Sequence, residues 1–317
     1  MEAVHKSVLL NEVLQFLQPE KANSLLIDST LGEGGHTKAF LEKYGDLQVV
    51  GLDADKQIQE RAKERLAAFE PRVKFVLTWF DDFYSNYPMD LPSPDLILFD
   101  LGISVFHYEL AQRGFSFGDE EKLDMRLSEN SDTTAADLVN NMDETSLANL
   151  IYNYSGERYS RRIAGAIVSR RQKEPFSTAV DLANVIAKAV PGEYRRLRLN
   201  PATKTFQALR IAVNDELTRL PRALEVAFKV LKLNGKMAVI TFHSLEDRIV
   251  KNFFRDKAKR CICPPEMPIC KCRGVPEVEI LTGKAVAPTE LEIRENSPSR
   301  SAKLRVVRKI YEEKKEN

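Results

Sequence analysis

The chain has 317 residues, of which 43% are hydrophobic, enough to fill the core of one large domain or two smaller ones. Its 47 lysine and arginine residues nearly balance 46 aspartate and glutamate residues, which excludes a strongly basic or acidic protein and leaves only a local patch for nucleic acid. No apolar run approaches the roughly 20 residues that cross a bilayer, and the start of the chain lacks the apolar core of a signal peptide. We therefore expect a cytoplasmic protein with no membrane partner.

Strands and helices alternate through the first hundred residues. Short apolar runs predict strands, and apolar residues at helical spacing predict helices between them. The strands are expected at 24–28, 47–52, 72–77 and 95–99, and the helices at 7–18, 37–44 and 57–69. This alternation is typical of a doubly wound parallel sheet, so we predict an α/β fold.

The pattern changes after residue 104. Residues 105–214 show no strand pattern, whereas helical spacing recurs at 135–139, 146–152, 159–171, 179–189 and 205–217. Strand patterns resume at 236–242, 278–281 and 303–310. We therefore predict a discontinuous α/β domain of residues 1–104 and 215–317, with an inserted all-helical domain at 105–214 that binds the substrate.

A glycine-rich turn lies between the first predicted strand and the following helix. Gly32, Gly34 and Gly35 allow positive φ angles and a close approach of a ligand to the backbone. Asp53 ends the next strand, where a carboxylate can accept both ribose hydroxyls of an adenosine cofactor. The alternative is a tight turn with Asp53 as a helix cap. The glycines depart from the G-x-G-x-x-G spacing of dinucleotide sites, but the turn alone does not decide between a dinucleotide and S-adenosylmethionine.

Asp100 ends the fourth predicted strand, in the sequence Asp100-Leu101-Gly102. Ligands of such sheets bind beyond the carboxyl ends of the strands, so Asp100 is expected to face the same crevice as the glycine turn. An exocyclic amine on a base is a poor nucleophile, because its lone pair is delocalised into the ring. A carboxylate that accepts its N–H groups can orient the amine and stabilise the charge that develops during methyl transfer. Asp100 is the candidate catalytic residue, and the alternative is a turn or helix cap.

His243 follows the fifth predicted β-strand at the rim of the same crevice. Ser244 and Asp247 after it resemble a capping box, with Asp in place of the usual Glu or Gln. That pattern predicts a helix start and leaves His243 with either a structural role or a contact to the substrate.

The predicted insertion contains a local excess of basic residues. Residues 157–210 include twelve lysines or arginines and four acids. Paired arginines suit a phosphate backbone, although a solvated helix face is the alternative. The candidate RNA-binding residues are Arg161, Arg162, Arg170, Arg171, Arg195, Arg196 and Arg198.

All four cysteines fall within twelve residues: Cys261, Cys263, Cys270 and Cys272. Four thiolates so close together can form a tetrahedral structural zinc site, although the usual knuckle spacing is C-x2-C. Free thiols in a surface loop and redox pairs are the alternatives. No set of His with Glu or Asp indicates a catalytic metal.

Several motifs together resemble the bacterial ribosomal RNA small subunit methyltransferase H family. The resemblance extends over almost the whole chain, in order. It is carried by residues 5–10 (HKSVLL), 32–36 (GEGGH), 100–104 (DLGIS), 113–117 (RGFSF), 123–126 (LDMR), 203–211 (TKTFQALRI) and 242–248 (FHSLEDR). It implies a class I S-adenosylmethionine-dependent methyltransferase fold, Rossmann-like, with a helical insertion. It also implies methylation of the N4 amine of a cytidine in the decoding region of 16S ribosomal RNA.

The resemblance also implies a cofactor site. Its residues in this chain are Gly34, Gly35, His36, Asp53, Phe80, Asp100 and His107. Phe80, expected where the third strand region ends, would pack on the adenine. Family members often carry Gln at position 107, so His107 is a departure that retains one hydrogen-bond donor. The cysteine segment is similar to one in many but not all members, so the chemistry does not require it.

The preferred function is therefore that of an RNA cytosine-N4 methyltransferase acting on small-subunit ribosomal RNA or on the assembled subunit. One alternative is a nicotinamide-dependent oxidoreductase on a similar sheet, but neither a second nucleotide site nor a hydride-transfer residue set is apparent. The other is a non-catalytic RNA-binding factor for ribosome assembly that retains the cofactor pocket.

Overall fold

The computed structural model describes residues 6–117, 120–197, 199–260, 263, 267 and 274–312. The chain divides into two compact units. The first unit consists of Met1–Ile103 with Thr218–Asn317, and the second of Ser104–Leu217. No helix within the described residues is long and apolar enough to cross a membrane.

A seven-stranded sheet forms the centre of the first unit. Its strands are β1 (Leu25–Asp28), β2 (Gln48–Asp53), β3 (Val73–Leu77), β4 (Leu96–Asp100), β5 (Lys236–Thr241), β6 (Val278–Ile280) and β7 (Lys303–Lys309). The order is β3-β2-β1-β4-β5-β7-β6. The first five strands pair in parallel, and β7 pairs antiparallel with both β5 and β6. This is the arrangement of the class I methyltransferase fold, and all seven predicted strands are confirmed.

Helices cover both faces of this sheet, which explains the uninterrupted apolar runs in its central strands. Alternate residues of β4 belong to two different cores: Leu96 and Leu98 to one, Ile97 and Phe99 to the other. The first core includes residues of α1 (Leu10–Phe16), α2 (Gly35–Lys43) and α3 (Lys56–Leu66). Helix α4 (Phe80–Ser85), which was not expected from the sequence, contributes to the second core.

The second unit is helical, as its sequence predicts. Its helices are α5 (Val105–Glu109), α6 (Ala135–Asn141), α7 (Glu144–Ser155), α8 (Ser160–Arg171), α9 (Ala179–Ala189), α10 (Gly192–Arg195) and α11 (Thr203–Asn214). Helix α6 begins with a capping box between Thr134 and Asp137. Helix α7 begins at the cap Asp143 and ends at Gly156, whose φ of 62° suits glycine. The predicted helix over 205–217 is wrong at its end, because Asp215 adopts a left-handed conformation that terminates α11.

Three more helices follow: α12 (Glu216–Val230), α13 (Ser244–Lys257) and α14 (Glu290–Glu295). Helix α12 was not predicted. Its Pro221 lacks the N–H that a helix interior requires, which costs about 3 kcal/mol. Five apolar side chains of α12 compensate by packing in the second core: Leu220, Ala223, Leu224, Ala227 and Phe228.

Candidate active site

Three aspartates end three adjacent parallel strands of the first unit. Asp28 ends β1, Asp53 ends β2 and Asp100 ends β4. Because the carboxyl ends of parallel strands meet at one edge of the sheet, these carboxylates border the same crevice. The β1 and β4 ends are also linked directly, since the Asp100 N–H donates to Thr30 Oγ1 at 2.6 Å.

The glycine turn after β1 leads into α2. Gly32 has a φ of 53° and Gly34 a φ of 75°, values that favour glycine. A Cβ at Gly34 would lie 2.8 Å from the Leu66 side chain, so this glycine also permits close packing. A Cβ at Gly32 would meet nothing within 4 Å. The turn therefore leaves open space beside Gly32, at the crevice.

Asp53 binds this turn through its side chain. The Gly32 N–H donates to Asp53 Oδ2 at 2.9 Å, and the Asp55 N–H donates to Oδ1 at 2.8 Å. The residue that caps α3 is Asp55, whose carboxylate accepts from the Gln57 N–H. The alternative interpretation of Asp53 as a helix cap is therefore wrong.

The two oxygens of the Asp100 carboxylate differ in their contacts. Its Oδ2 lies 3.5 Å from Nδ1 of His36, while its side chain is 18% exposed. Its Oδ1 is buried and makes no hydrogen bond within the described part of the chain. A buried polar oxygen without a partner is costly in a folded protein, and a ligand that donates a hydrogen bond would relieve that cost.

Burial raises the pKa of both Asp100 and Asp28. Burial is the largest cause for Asp100, the nearby Asp28 and Glu246 carboxylates add to it, and the Gly102 N–H opposes it; the result is a pKa of about 8. Burial raises the pKa of Asp28 to about 6, against hydrogen bonds from Thr37 and Thr30. The Asp100 carboxyl consequently still carries a proton at neutral pH unless a neighbouring base or cation removes it.

His36 lies in the first turn of α2 with its side chain almost fully buried. Its Nε2 lies 3.0 Å from the Val8 carbonyl, while its Nδ1 faces Asp100. The imidazole therefore connects the start of the chain to the end of β4. Gly35 allows this approach, because a Cβ there would lie 2.2 Å from Ser7 Oγ.

Phe80 does not end a strand as predicted, because β3 ends at Leu77 and Phe80 is the first residue of α4. Its half-buried ring packs edge-on against Phe99, with centroids 5.6 Å apart, and against Trp79. Since Phe99 immediately precedes Asp100, Phe80 lies close to the carboxyl end of β4.

The capping box predicted for Ser244 and Asp247 is wrong. Helix α13 is capped instead by His243, whose side chain accepts from the Glu246 N–H, while the Glu246 carboxylate accepts from the His243 N–H. Asp247 pairs with Lys303 and Arg305 on β7. His243 therefore has the structural role that the sequence left open.

His107 belongs to the second unit. It is 4% exposed, and its ring packs edge-on against Phe115 and Phe106 at 5.3 Å and 5.6 Å between centroids. Of the seven residues that the resemblance assigns to a cofactor, the other six lie in the first unit.

The candidate RNA-binding arginines of the second unit differ in their surroundings. Arg162, Arg195 and Arg196 are exposed. Arg161 is exposed but hydrogen-bonded to Asn149. Two others are half-buried: Arg170 pairs with Asp181 at 2.5 Å, and Arg171 donates to a backbone carbonyl of α6. Arg198 lies outside the described residues.

Of the predicted zinc ligands, only Cys263 is described, and it is half-buried. Cys261, Cys270 and Cys272 lie outside the described residues.

Asp28, Thr30 and Val8 also belong to this site and were not predicted from the sequence. Asp28 shares with Asp53 and Asp100 the one signal that was available, a carboxylate at the end of a buried strand. Nothing in the local sequence indicates that the Val8 carbonyl would bind His36, because that contact spans 28 residues of chain.

The family model and the relatives found by sequence agree on one family. The model of a family described as the MraW methylase family matches residues 2–310. A Treponema denticola protein named ribosomal RNA small subunit methyltransferase H is 59% identical over 310 residues, 98% of each chain. A Treponema pallidum protein of the same name is 43% identical, over 96% of this chain and 92% of that one. A solved rRNA methylase from Streptococcus thermophilus is 10% identical, over 98% of this chain and 100% of that one, with a TM-score of 0.41.

Proposed function

The chain belongs to the MraW methylase family and is an S-adenosylmethionine-dependent ribosomal RNA methyltransferase; we propose that its acceptor is the N4 amine of a cytidine in the decoding region of small-subunit RNA. Membership over nearly the whole chain removes the reason to consider a nicotinamide-dependent oxidoreductase. The acceptor base and its position derive from the family resemblance and from the chemistry of Asp100.

The observation that carries the proposal is the unengaged Oδ1 of Asp100. This oxygen is buried at the carboxyl end of β4, without a partner among the described residues. An amine N–H that donates to it is held in one orientation, with the nitrogen lone pair directed away from the carboxylate. As the nitrogen gains positive charge during methyl transfer, the interaction with Asp100 strengthens, and this lowers the barrier.

The residues around the glycine turn fit S-adenosylmethionine. Open space beside Gly32 accommodates a ligand, and Asp53 lies where the ribose hydroxyls of an adenosine are expected. The half-buried ring of Phe80 offers an apolar surface for adenine. The aspartates at the strand ends suit a positively charged sulfonium, and this group supplies the methyl that is transferred.

We further propose that the predicted insertion, residues 105–214, binds the RNA. Exposed Arg161, Arg162, Arg195 and Arg196 support this, since phosphates are bound by accessible guanidinium groups. Arg170 contributes less, because Asp181 already neutralises it. His107 is proposed as a cofactor contact from its matching position alone. An enzyme acting on ribosomal subunits is expected in the cytoplasm.

The four cysteines are proposed to hold a structural zinc ion, on the basis of their clustering alone. Metal analysis of the purified protein tests this, with one equivalent of zinc expected. Less than a tenth of an equivalent in protein purified without chelator would contradict it. Asp100 and the glycine turn are remote in sequence from the cluster, so methyl transfer is expected to survive replacement of all four cysteines.

The acceptor is tested by incubating the protein with S-adenosylmethionine carrying a tritiated methyl group and small ribosomal subunits from cells that lack it. We expect label in N4-methylcytidine after digestion to nucleosides. Replacing Asp100 by Ala should lower the rate by about 100-fold or more while RNA binding is retained. An assembly factor without activity would bind the subunit equally well but incorporate no label in either form.

A further inference from the structure

His36 and Asp100 face each other at the crevice, and the partners of His36 determine how the pair holds its protons. A carbonyl oxygen only accepts hydrogen bonds, so the His36 Nε2 that lies 3.0 Å from the Val8 carbonyl carries a hydrogen. In a neutral imidazole the other nitrogen, Nδ1, then carries no hydrogen and can only accept a hydrogen bond. That bare nitrogen lies 3.5 Å from Asp100 Oδ2.

If Nδ1 carried no hydrogen and the carboxylate were ionised, the lone pair of the nitrogen would face a lone pair of the oxygen, and the two would repel. One proton between them removes the repulsion, as a carboxyl O–H donating to Nδ1 or as an imidazolium N–H donating to Oδ2. Among the described residues, the Asp28 carboxylate of β1 and the Glu246 carboxylate of α13 also act on Asp100. Both are acidic and favour retention of that proton.

The fold holds the Val8 carbonyl in place from two sides. The next residue, Leu9, has a left-handed φ of 53°, and its N–H donates to Glu292 Oε1 at 2.7 Å. On the other side, Gly35 leaves room for Ser7 against the first turn of α2. The Val8–His36 hydrogen bond is therefore built into the fold, and His36 is held in one tautomer.

We propose that His36 is a positioning residue for Asp100, which keeps the shared proton on the Oδ2 side and so leaves Oδ1 open to the substrate amine. This inference rests on the proposed function. The open Oδ1 first accepts an N–H hydrogen bond from the amine and later accepts the proton that methyl transfer releases.

Methyl transfer moves one unit of positive charge from the sulfonium towards His36 and Asp100. The bond between sulfur and the methyl carbon breaks with its electron pair going to sulfur, while the amine lone pair forms the new N–C bond. An N–H proton then moves to Asp100 Oδ1, and the shared proton resides on His36 Nδ1. The unit of positive charge that leaves the sulfonium is thus carried by the His36–Asp100 pair, beside Asp28 and Glu246, until one proton returns to solvent.

The first test measures single-turnover methyl transfer to small subunits from pH 6 to 9.5, for wild type, His36→Gln and the control Glu42→Gln. A glutamine cannot accept the proton that Asp100 shares with His36. In His36→Gln, Asp100 must therefore be ionised before it can accept a proton from the amine. We expect the rate of His36→Gln at pH 7 to fall about 10- to 100-fold. The acidic limb of the pH–rate profile of His36→Gln should move to higher pH by about one unit. Its dissociation constant for S-adenosylmethionine should stay within about threefold of the wild-type value. Glu42→Gln, which changes an exposed side chain of the same helix, should leave the acidic limb where it is.

An equal loss at every pH, or a loss matched by weaker cofactor binding, would overturn the role of His36. A second measurement does not depend on activity. Nitrogen-15 NMR of labelled histidines, assigned with His36→Gln, should show His36 protonated at Nε2, and Asp100→Asn should shift the Nδ1 resonance that faces position 100. A resonance showing Nδ1 protonated and Nε2 bare would refute the proposal even in an inactive preparation. A wild type with these NMR signals but no methyl transfer would instead refute the proposed function.

Discussion

Replacing Asp100 by Asn is expected to stabilise the cofactor-free protein at alkaline pH. An unfolded aspartate ionises near pH 3.8, whereas burial and the neighbouring carboxylates raise the folded pKa of Asp100 to about 8. Between these values the unfolded state binds fewer protons than the folded state, so the free energy of unfolding falls as pH rises. Asn does not ionise, so the free energy of unfolding of Asp100→Asn does not fall for this reason as pH rises.

The size of the effect follows from the displacement of the pKa. The folded and unfolded pKa values of Asp100 differ by roughly four units. At about 1.4 kcal/mol for each unit, this difference corresponds to about 6 kcal/mol as an upper bound. The Asp100 side chain is 18% exposed, and water and local relaxation reduce the cost of its charge. We therefore expect Asp100→Asn to gain about 2 to 4 kcal/mol over wild type at pH 8.5 and markedly less at pH 5.

Asp95, immediately before the same strand, provides a control of opposite sign. Burial alone would raise its pKa, but Lys232, the Leu25 N–H and Lys21 outweigh burial and hold the pKa below its usual range. Asp95→Asn should therefore destabilise the protein by a similar amount at pH 5 and pH 8.5, since its carboxylate is ionised at both.

Urea unfolding followed by the fluorescence of Trp79, the only tryptophan, measures both variants. If Asp100→Asn destabilised the protein as Asp95→Asn does, or if its effect were the same at both pH values, burial would not raise the pKa of Asp100 to about 8.

Three further predictions concern packing, capping and RNA. A Cβ at Gly102 would lie 2.6 Å from the ring of Phe242, so Gly102→Ala should cost about 1 to 3 kcal/mol in urea unfolding, and Phe242→Leu in the same chain should recover part of it; an unchanged midpoint would contradict the close packing. Asp55→Ala removes the cap of α3 and should cost about 1 kcal/mol in the same assay, while Asp55→Asn retains most of the capping. Arg162→Glu should weaken RNA binding and lower its salt dependence, measured by filter binding from 50 to 200 mM salt, whereas Arg170→Glu should mainly lower stability because it breaks a pair with an acid; equal salt slopes for wild type and Arg162→Glu would place the RNA surface elsewhere.

The sheet was predictable because its strands are buried on both faces. The runs Leu25–Asp28 and Leu96–Asp100 are apolar until they end in an acid. The acid that ends the second run, Asp100, was identified as a site residue from this pattern, whereas Asp28 was not. Helix α12 was not predictable from local pattern, since Pro221 opposes a helix and only packing against the sheet overcomes it.

The site was predictable where one residue carries the signal and not where contacts between distant segments do. Asp53 and Asp100 could be identified from their positions at strand ends. The bond from His36 to Val8 and the cap that His243 supplies to α13 depend on backbone geometry that adjacent residues do not specify. Histidine is an uncommon cap, so the Ser and Asp beside it were the expected choice.

Mass spectrometry of nucleosides from small-subunit RNA tests whether Asp100 holds the amine of a cytidine for methylation. Cells lacking the protein, and cells in which Asp100→Ala replaces it at equal abundance, should both lose N4-methylcytidine, and the wild-type gene should restore it. Persistence of N4-methylcytidine with Asp100→Ala would show that Asp100 does not have this role, and loss of a different methylated nucleoside from the deletion would show that the acceptor is another base.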